Sequence, residues 1–139
     1  MQQLQTGEEP ARGGGLEDLE LRGDGFLLAF ADPARGLRCA IDLQRTFERY
    51  NQGRPDQILQ LRIGLHCGEA IRDEDKFFGK TVIQAFRIAD LAQGNEVLVS
   101  DDLRRACASD PTLRFGEARE VNLKGIRGRQ RVLPVDWSR

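Results

Sequence analysis

The sequence predicts a mixed α+β domain, because strand-like and helical periodicities alternate along its 139 residues. In the strand-like segments apolar residues occur at every second position or in short runs, and in the helical segments they recur every three or four positions. The content of hydrophobic residues, 40%, and of charged residues, 31%, is typical of a globular domain. A chain of this length buries about 68–70% of its unfolded surface. We therefore predict one α+β domain with a mostly antiparallel sheet.

The charge balance and the cysteines restrict the possible partners and compartments. Lys and Arg number 21 and Asp and Glu number 22, so the net charge of −1 excludes nucleic-acid binding driven by overall charge. No apolar run approaches the roughly 18–20 residues that span a bilayer, and polar residues follow Met1. The 3 cysteines form no Cys-x-x-Cys pair. We expect a cytoplasmic protein that binds neither nucleic acid nor membranes.

The first part of the chain is predicted to be a leader followed by a hairpin. Residues 1–15 are rich in Gly and poor in apolar residues, so we expect a flexible leader, with the domain in residues 16–139. Leu16–Arg22 alternates and Phe26–Phe30 is fully apolar, and both flank the Gly-Asp-Gly of residues 23–25. Asp-Gly between apolar segments favours a tight turn, because that turn needs positive φ.

A helix and a strand are predicted next. Asp32 followed by Pro33 favours a helix start, and the Asn-Gln-Gly of residues 51–53 favours its end. Ile58–His66 alternates strictly, which predicts a half-buried strand. After a turn, Glu69–Arg72 is predicted to return as its partner strand.

The second half of the sequence predicts two more helices and a closing hairpin. Apolar residues share one side of Gly79–Gln93, which predicts the clearest helix in the sequence. Glu96–Val99 is predicted to be a short buried strand, and Ser100 to cap the third helix. Arg114–Leu123 and Gln130–Val135 are predicted to form the hairpin.

His66 is the only histidine of the chain, and it faces away from the apolar side of its predicted strand. Neither a second histidine nor a nucleophile pattern accompanies it. We therefore predict a structural or solvent-facing histidine rather than a catalytic one.

Five segments resemble, in order, those of the class III adenylate/guanylate cyclase catalytic domain: GDGFLLAF, LRIGLHCGEAI, FGKTVIQAFRIADLA, EVLVS and NLKG. The resemblance runs from about Gly15 to Val135. It implies a ferredoxin-like α/β sandwich that dimerises head to tail, with active sites at the dimer interface. These sites convert a nucleoside triphosphate to a cyclic nucleotide and pyrophosphate, with the assistance of two Mg²⁺ or Mn²⁺ ions held by two aspartates.

The resemblance assigns one metal ligand to this chain. Asp24 matches the second metal aspartate of the family, although a favoured turn residue would also explain an aspartate there. The first metal aspartate has no counterpart, since the chain is expected to begin after the family's first strand and helices. We therefore expect Mg²⁺ or Mn²⁺ only if the protein is active, and otherwise no cofactor.

Two further positions correspond to the pair that recognises the base. Glu20 matches the guanylate-forming pattern, because a carboxylate can accept from the N1 and N2 donors of guanine. Lys76, at the second position, fits neither the adenylate-forming nor the guanylate-forming pattern. Glu20 and Lys76 are candidate substrate-binding residues, and a solvated surface pair is the alternative.

The remaining matches concern phosphate chemistry. In the family, an Asn and an Arg four residues apart stabilise the transition state, and here the positions hold Ile83 and Arg87. Arg87 is the candidate catalytic residue, with an ion pair to Asp90 as the alternative. Ile83 indicates a protein contact instead. Lys124 matches the phosphate-binding lysine, and a solvated loop is its alternative.

Two functions remain open from the sequence. The first is a degenerate cyclase-like domain that acts as a non-catalytic dimerising or regulatory module in cyclic-nucleotide signalling. The alternative is an active adenylate or guanylate cyclase that a partner chain completes. Both predict a homodimer or a complex with another cyclase domain, and both allow a nucleoside triphosphate as ligand. A fragment or decaying gene product is a third interpretation.

Overall fold

The computed structural model describes residues 2–5, 16–22, 25–74 and 76–138. The strands are β1 (Gln2–Gln5), β2 (Leu16–Arg22), β3 (Gly25–Phe30), β4 (Arg62–Cys67), β5 (Ile71–Asp73), β6 (Lys76–Phe78), β7 (Glu96–Ser100), β8 (Arg119–Asn122) and β9 (Arg129–Pro134). The helices are α1 (Pro33–Asn51), α2 (Lys80–Leu91) and α3 (Asp101–Ala106). The predicted α+β class is confirmed.

Seven of the strands form one mixed sheet in the order β2-β3-β1-β4-β7-β9-β8. The expectation of a mostly antiparallel sheet is wrong, because β1 runs parallel to both β3 and β4, and β4 runs parallel to β7. Helix α2 lies between β4 and β7 in the chain and provides the crossover that a parallel pair needs. The two ends of the sheet are antiparallel hairpins, as the sequence predicts.

The N-terminal strand β1 occupies an inner position of the sheet. Gln2–Gln5 pairs with Leu27–Phe30 on one side and with Gly64–Cys67 on the other. Part of the predicted leader therefore supplies backbone partners to two inner strands, which would otherwise present unpaired groups. Residues 6–15 lie outside the described residues, so the flexibility of the leader stays a prediction.

The sheet is covered on both faces. Helices α1 and α3 pack on one face, where Leu37 and Leu103 join Ile63 and Val97 in the larger core cluster. Helix α2 covers the other face through a second cluster of Ile88, Ala92, Leu98, Leu123 and Val132. The successive residues Val97 and Leu98 point to opposite faces, as the two-residue period of a strand requires.

The predicted strand over residues 58–66 is shorter in the structure, where β4 begins only at Arg62. Ile58 and Leu59 are 55% and 48% exposed. The side-chain amide of Asn51 donates to the carbonyl of Leu59 at 2.8 Å, and the amide of Leu59 donates back to Asn51 Oδ1 at 2.9 Å. These bonds occupy backbone groups that a strand would use for pairing. The alternation of apolar residues therefore begins several residues before the strand does.

The predicted return strand is also wrong in its pairing. Strand β5 does not pair with β4 but forms a separate two-stranded hairpin with β6, in the register Ile71 to Phe78 and Asp73 to Lys76. Glu74 adopts φ +56° at its turn. This hairpin immediately precedes α2.

Two predicted helix caps are confirmed. The carboxylate of Asp32 accepts from the amide of Ala34 at 3.0 Å, and the hydroxyl of Ser100 accepts from the amide of Leu103 at 3.2 Å. Each bond satisfies a donor that the helix itself leaves unpaired. Among the described residues no helix combines the length and apolar character needed to cross a membrane.

A very close contact sets the position of α2. A Cβ atom added at Gly64 of β4 would overlap the backbone nitrogen of Ala89 and lie 2.6 Å from its Cα. Real Cβ atoms essentially never approach other atoms below 3.0 Å. Gly64 is therefore required here because the helix backbone rests directly on the strand.

Gly64→Ala is expected to lower the free energy of unfolding by about 1–3 kcal/mol, since helix and strand must separate to admit the methyl group. Gly94→Ala is the matched control, because its added Cβ would meet the flexible side chain of Gln60 instead of backbone. Chemical denaturation of both variants measures the difference. Equal losses at the two positions would contradict the close contact.

Candidate active site

Helix α2 carries two of the positions that the cyclase resemblance selects, Ile83 and Arg87. It begins after Gly79, whose φ of +113° few other residues adopt, and the Gly79 carbonyl accepts from the amide of Ile83 at 3.2 Å. Its inner side is buried and consists of Thr81, Val82, Ala85, Ile88 and Ala89. Its outer side exposes Ile83 and Leu91 and includes Arg87 and Asp90. The helix thus presents one side to the sheet and keeps its candidate site residues on the other.

Arg87 contacts the loop that holds Lys124. Its Nε donates to the backbone carbonyl of Lys124 at 3.1 Å, and its Nη1 lies 3.6 Å from a carboxylate oxygen of Asp90. The structure therefore brings together two of the predicted site residues, one from α2 and one from the β8–β9 loop. It also contains the ion pair that the sequence offers as the alternative for Arg87.

The β8–β9 loop is held in this position by its own turn and by the core. Leu123 is 4% exposed and packs in the same cluster as Ile88 of α2. Its carbonyl accepts from the amide of Ile126 at 3.0 Å, and Gly125 takes a φ of +80°. Lys124 therefore follows an anchored residue, and its side chain is exposed.

The other predicted site residues are not brought together with Arg87. Lys76 opens β6, is exposed and pairs through its backbone with Asp73. Glu20 lies on β2 and pairs across the hairpin with Leu27. Asp24 lies outside the described residues. The roles of Glu20, Asp24, Lys76, Arg87 and Lys124 all stay predictions.

Three large apolar residues before and after the start of α2 are exposed. Ile71 is 66% exposed, its cross-strand partner Phe78 44%, and Ile83 48%. Phe78 directly precedes Gly79, and Ile83 follows in the first turn of the helix. We call Ile71, Phe78 and Ile83 the α2 apolar surface. Large exposed apolar residues close together are typical of protein contacts.

The three described thiols are poor nucleophiles. Burial is the main cause that raises the pKa of Cys39 and Cys67, and it raises the pKa of Cys107 to about 11. All three are free cysteines. Since the thiolate is the reactive form, none of them suits nucleophilic chemistry at neutral pH.

His66 lies in a buried polar cluster that the sequence did not reveal. The ring is 4% exposed, with Nδ1 2.7 Å from Ser100 Oγ and Nε2 3.0 Å from Gln84 Oε1. The solvent-facing alternative for His66 is wrong, since the ring is buried, and its structural role stays a prediction. The one feature of the sequence that could have predicted this burial is the position of His66, two residues after Gly64 and therefore on the side of β4 that α2 covers.

The described side chains do not form a metal-binding group. Within residues 25–74 and 76–138, no group of three or more His, Cys, Asp or Glu side chains could hold a metal ion. The predicted ligand, Asp24, is outside these ranges. We therefore derive no step through Mg²⁺ or Mn²⁺.

Comparison with known families decides the membership of the chain. The family model of the adenylate and guanylate cyclase catalytic domain matches residues 16–134. The chain belongs to this family. The family predicted from the five sequence segments is confirmed.

Relatives named as cyclases are similar to the cyclase-family chain over most of its length. A putative adenylate cyclase of Rhizobium meliloti is 33% identical over 105 residues, which cover 75% of this chain and 18% of the relative. A pH-sensitive adenylate cyclase of Mycobacterium tuberculosis is 30% identical over 116 residues, covering 81% of this chain and 28% of the relative. An uncharacterized Mycobacterium tuberculosis protein is 36% identical over 88 residues, covering 63% of this chain and 28% of that protein. The chain therefore spans less than a third of the length of these relatives.

Solved structures confirm the cyclase fold. The crystal structure of an adenylate/guanylate cyclase/hydrolase from Silicibacter pomeroyi superposes with a TM-score of 0.80 at 24% identity, covering 88% of this chain and 73% of the other. The guanylyl cyclase Cya2 superposes with a TM-score of 0.71 at 22% identity, covering 88% and 70% of the two chains. At these identities the likeness concerns the fold alone.

Arg87→Ala is expected to change the free energy of unfolding by less than about 1 kcal/mol, because the guanidinium bonds at the surface. Ile88→Ala, the next residue on the buried side, is expected to cost about 2–5 kcal/mol. Urea denaturation compares the two variants. A loss at Arg87 as large as that at Ile88 would show that Arg87 is a core residue rather than a surface group.

Proposed function

We propose that this cyclase-family domain is a non-catalytic module that dimerises and regulates cyclic-nucleotide signalling in the cytoplasm. The observation that carries the proposal is the exposed Ile83 on the outer side of α2, one turn before Arg87. The cyclase resemblance implies an asparagine at this position, where it would hold the substrate. An isoleucine side chain offers no hydrogen bond to a ribose.

The expected loss of rate from this change is large. Removing one donor that acts in a transition state commonly costs about 10²–10³-fold in rate. Lys76 departs from the family pattern as well. A loss of this size at Ile83, together with the departure at Lys76, would leave little turnover.

Nucleotide binding without turnover is compatible with the groups that are retained. Arg87 of α2 and the Lys124 loop are in direct contact. Arg127 in the loop and Arg129 at the start of β9 are both exposed and raise the local positive charge. A triphosphate carries the complementary charge.

A second candidate function rests on the same contact between Arg87 and the Lys124 loop. If a partner chain supplies the metal-binding aspartates, Arg87 and Lys124 would serve as the phosphate-binding half of a shared site. In this case Mg²⁺ or Mn²⁺ would be the cofactor, and the pair would convert ATP or GTP to a cyclic nucleotide.

The isolated chain is expected to make no cyclic AMP or cyclic GMP above background with Mn²⁺ and ATP or GTP. It should bind the triphosphate weakly, and the affinity should fall as salt rises, because the retained contacts are electrostatic. A turnover assay on pure protein and an equilibrium titration at several salt concentrations measure both quantities.

Asp24→Ala and Arg87→Ala are the controls for this assay. Cyclic nucleotide formed by the wild type and lost in both variants would overturn the non-catalytic proposal. Product that appears only after mixing with a cyclase domain that carries both metal aspartates would support the second candidate function.

The α2 apolar surface is expected to mediate association with a second copy or another cyclase domain. Ile83→Glu should abolish or strongly weaken self-association, since a buried carboxylate without a partner is costly in an interface. Ile58→Glu is the matched control, because Ile58 is equally exposed but lies in the loop before β4. Sedimentation velocity measures the outcome. A wild-type monomer at high micromolar concentration would exclude self-association through this surface.

A further inference from the structure

The guanidinium of Arg87 keeps one of its edges available for a ligand. Its Nε donates to the carbonyl of Lys124 at 3.1 Å, so the edge formed by Nε and Nη2 is partly occupied. Within the described part of the chain, neither Nη1 nor Nη2 makes a hydrogen bond. We call this pair of nitrogens the open edge of Arg87. Because the donors of an arginine form a fixed fork, the open edge can hold a phosphate through a pair of parallel hydrogen bonds.

A carboxylate stands at the open edge. Asp90 Oδ2 lies 3.6 Å from Arg87 Nη1, which is too long for a hydrogen bond but close enough for an ion pair. The side chains of Asp90 and Arg87 are 63% and 36% exposed, so the edge is accessible from solvent. A phosphate that binds the open edge therefore meets a negative charge beside it.

Asp90 contributes little to the stability of its own helix. It is the single acidic residue of α2 and lies in the last turn, where the negative end of the helix dipole disfavours a carboxylate. Arg87 lies three residues earlier, and an ion pair with the cation first is the weaker orientation on a helix. Exposure weakens the pair further. The stability of α2 therefore does not explain an aspartate at this position.

The loop that Arg87 contacts is strongly basic. Residues 121–131 contain no acidic residue and four cations, which are Lys124, Arg127, Arg129 and Arg131. All four side chains are exposed. Among the described residues, Asp90 is the one carboxylate within ion-pair distance of Arg87. It therefore opposes an anion at the same place where the loop attracts one.

We propose that Asp90 is an internal competitor for the open edge of Arg87 and thereby weakens the binding of a triphosphate. This inference rests on the nucleotide binding proposed above and concerns how tightly that same site holds its ligand. The bond from Nε to the Lys124 carbonyl can persist while the guanidinium exchanges Asp90 for a phosphate oxygen. Because repulsion grows with the charge of the ligand, Asp90 lowers the affinity for a triphosphate more than the affinity for a single phosphate.

The test is an NMR titration of the wild type and Asp90→Asn with inorganic tripolyphosphate, pyrophosphate and orthophosphate. These probes lack a base and a ribose, so Lys76 and Ile83 do not enter the comparison. The backbone amide of Gly125, next to Lys124, reports binding at the loop. At low salt Asp90→Asn should bind tripolyphosphate about two- to fivefold more tightly, with a smaller gain for orthophosphate. The gain should decline as salt rises, since the groups are exposed.

Asp42→Asn is the matched control. Asp42 is an exposed aspartate of α1, and α1 packs on the face of the sheet opposite to α2. The control makes the same change in net charge and should leave the three affinities unchanged. Arg87→Ala should weaken the binding of tripolyphosphate, which verifies that the titration measures the proposed site.

Urea denaturation separates competition for the ligand from a structural role. Asp90→Asn should leave the midpoint of unfolding unchanged or raise it slightly, because it removes a charge that the end of the helix disfavours. A lower midpoint without a gain in affinity would show that Asp90 stabilises α2 instead, and the proposal would be overturned.

The titrations also separate this inference from the proposed function. Binding that weakens in Arg87→Ala but is equal in the wild type and Asp90→Asn would overturn the competition alone. An equal gain in Asp42→Asn would overturn it as well, since the effect would then reflect net charge. If neither the wild type nor Asp90→Asn binds tripolyphosphate, the proposed nucleotide binding fails, and this inference fails with it.

Discussion

The absence of a side chain at Gly64 is the constraint on which the second layer of the domain depends. Because the backbone of Ala89 rests directly on β4, α2 approaches the sheet more closely than any side chain at position 64 would permit. At this distance Gln84 reaches the ring of His66, and Ile88 reaches the cluster around Leu123. A helix moved outward by one methyl group would lose both contacts, since packed interiors leave no spare volume.

Helix α2 therefore links the structural and the functional properties of the domain. Its inner side is a packing surface with a polar cluster at one point, and its outer side combines an apolar surface with a guanidinium beside a basic loop. The site residues depend on the packing, because Leu123 anchors the loop that Arg87 bonds. The proposed non-catalytic module would still need this arrangement to present the outer side to a partner. The retained fold of α2 is thus compatible with the proposed loss of turnover.

Local signals predicted the helices and hairpins well and the strand pairings poorly. Asp32 and Ser100 act as caps because a cap is a contact between residues two or three positions apart. The strand predicted from residue 58 begins only at Arg62, because the side chain of Asn51, at the end of α1, takes the backbone groups of Leu59. Alternation records which residues are apolar, but it contains no information on which backbone groups find a partner.

The sequence by itself determined the family, the α+β class and the identity of the candidate site residues, since these depend on residue type and order. Tertiary structure alone decided that β1 pairs parallel to β3 and β4, that Arg87 lies against the Lys124 loop, and that His66 is buried between Ser100 and Gln84. These contacts join residues 18 to 60 or more positions apart. Their formation depends on how two faces of one sheet are filled, which no local pattern of residues specifies.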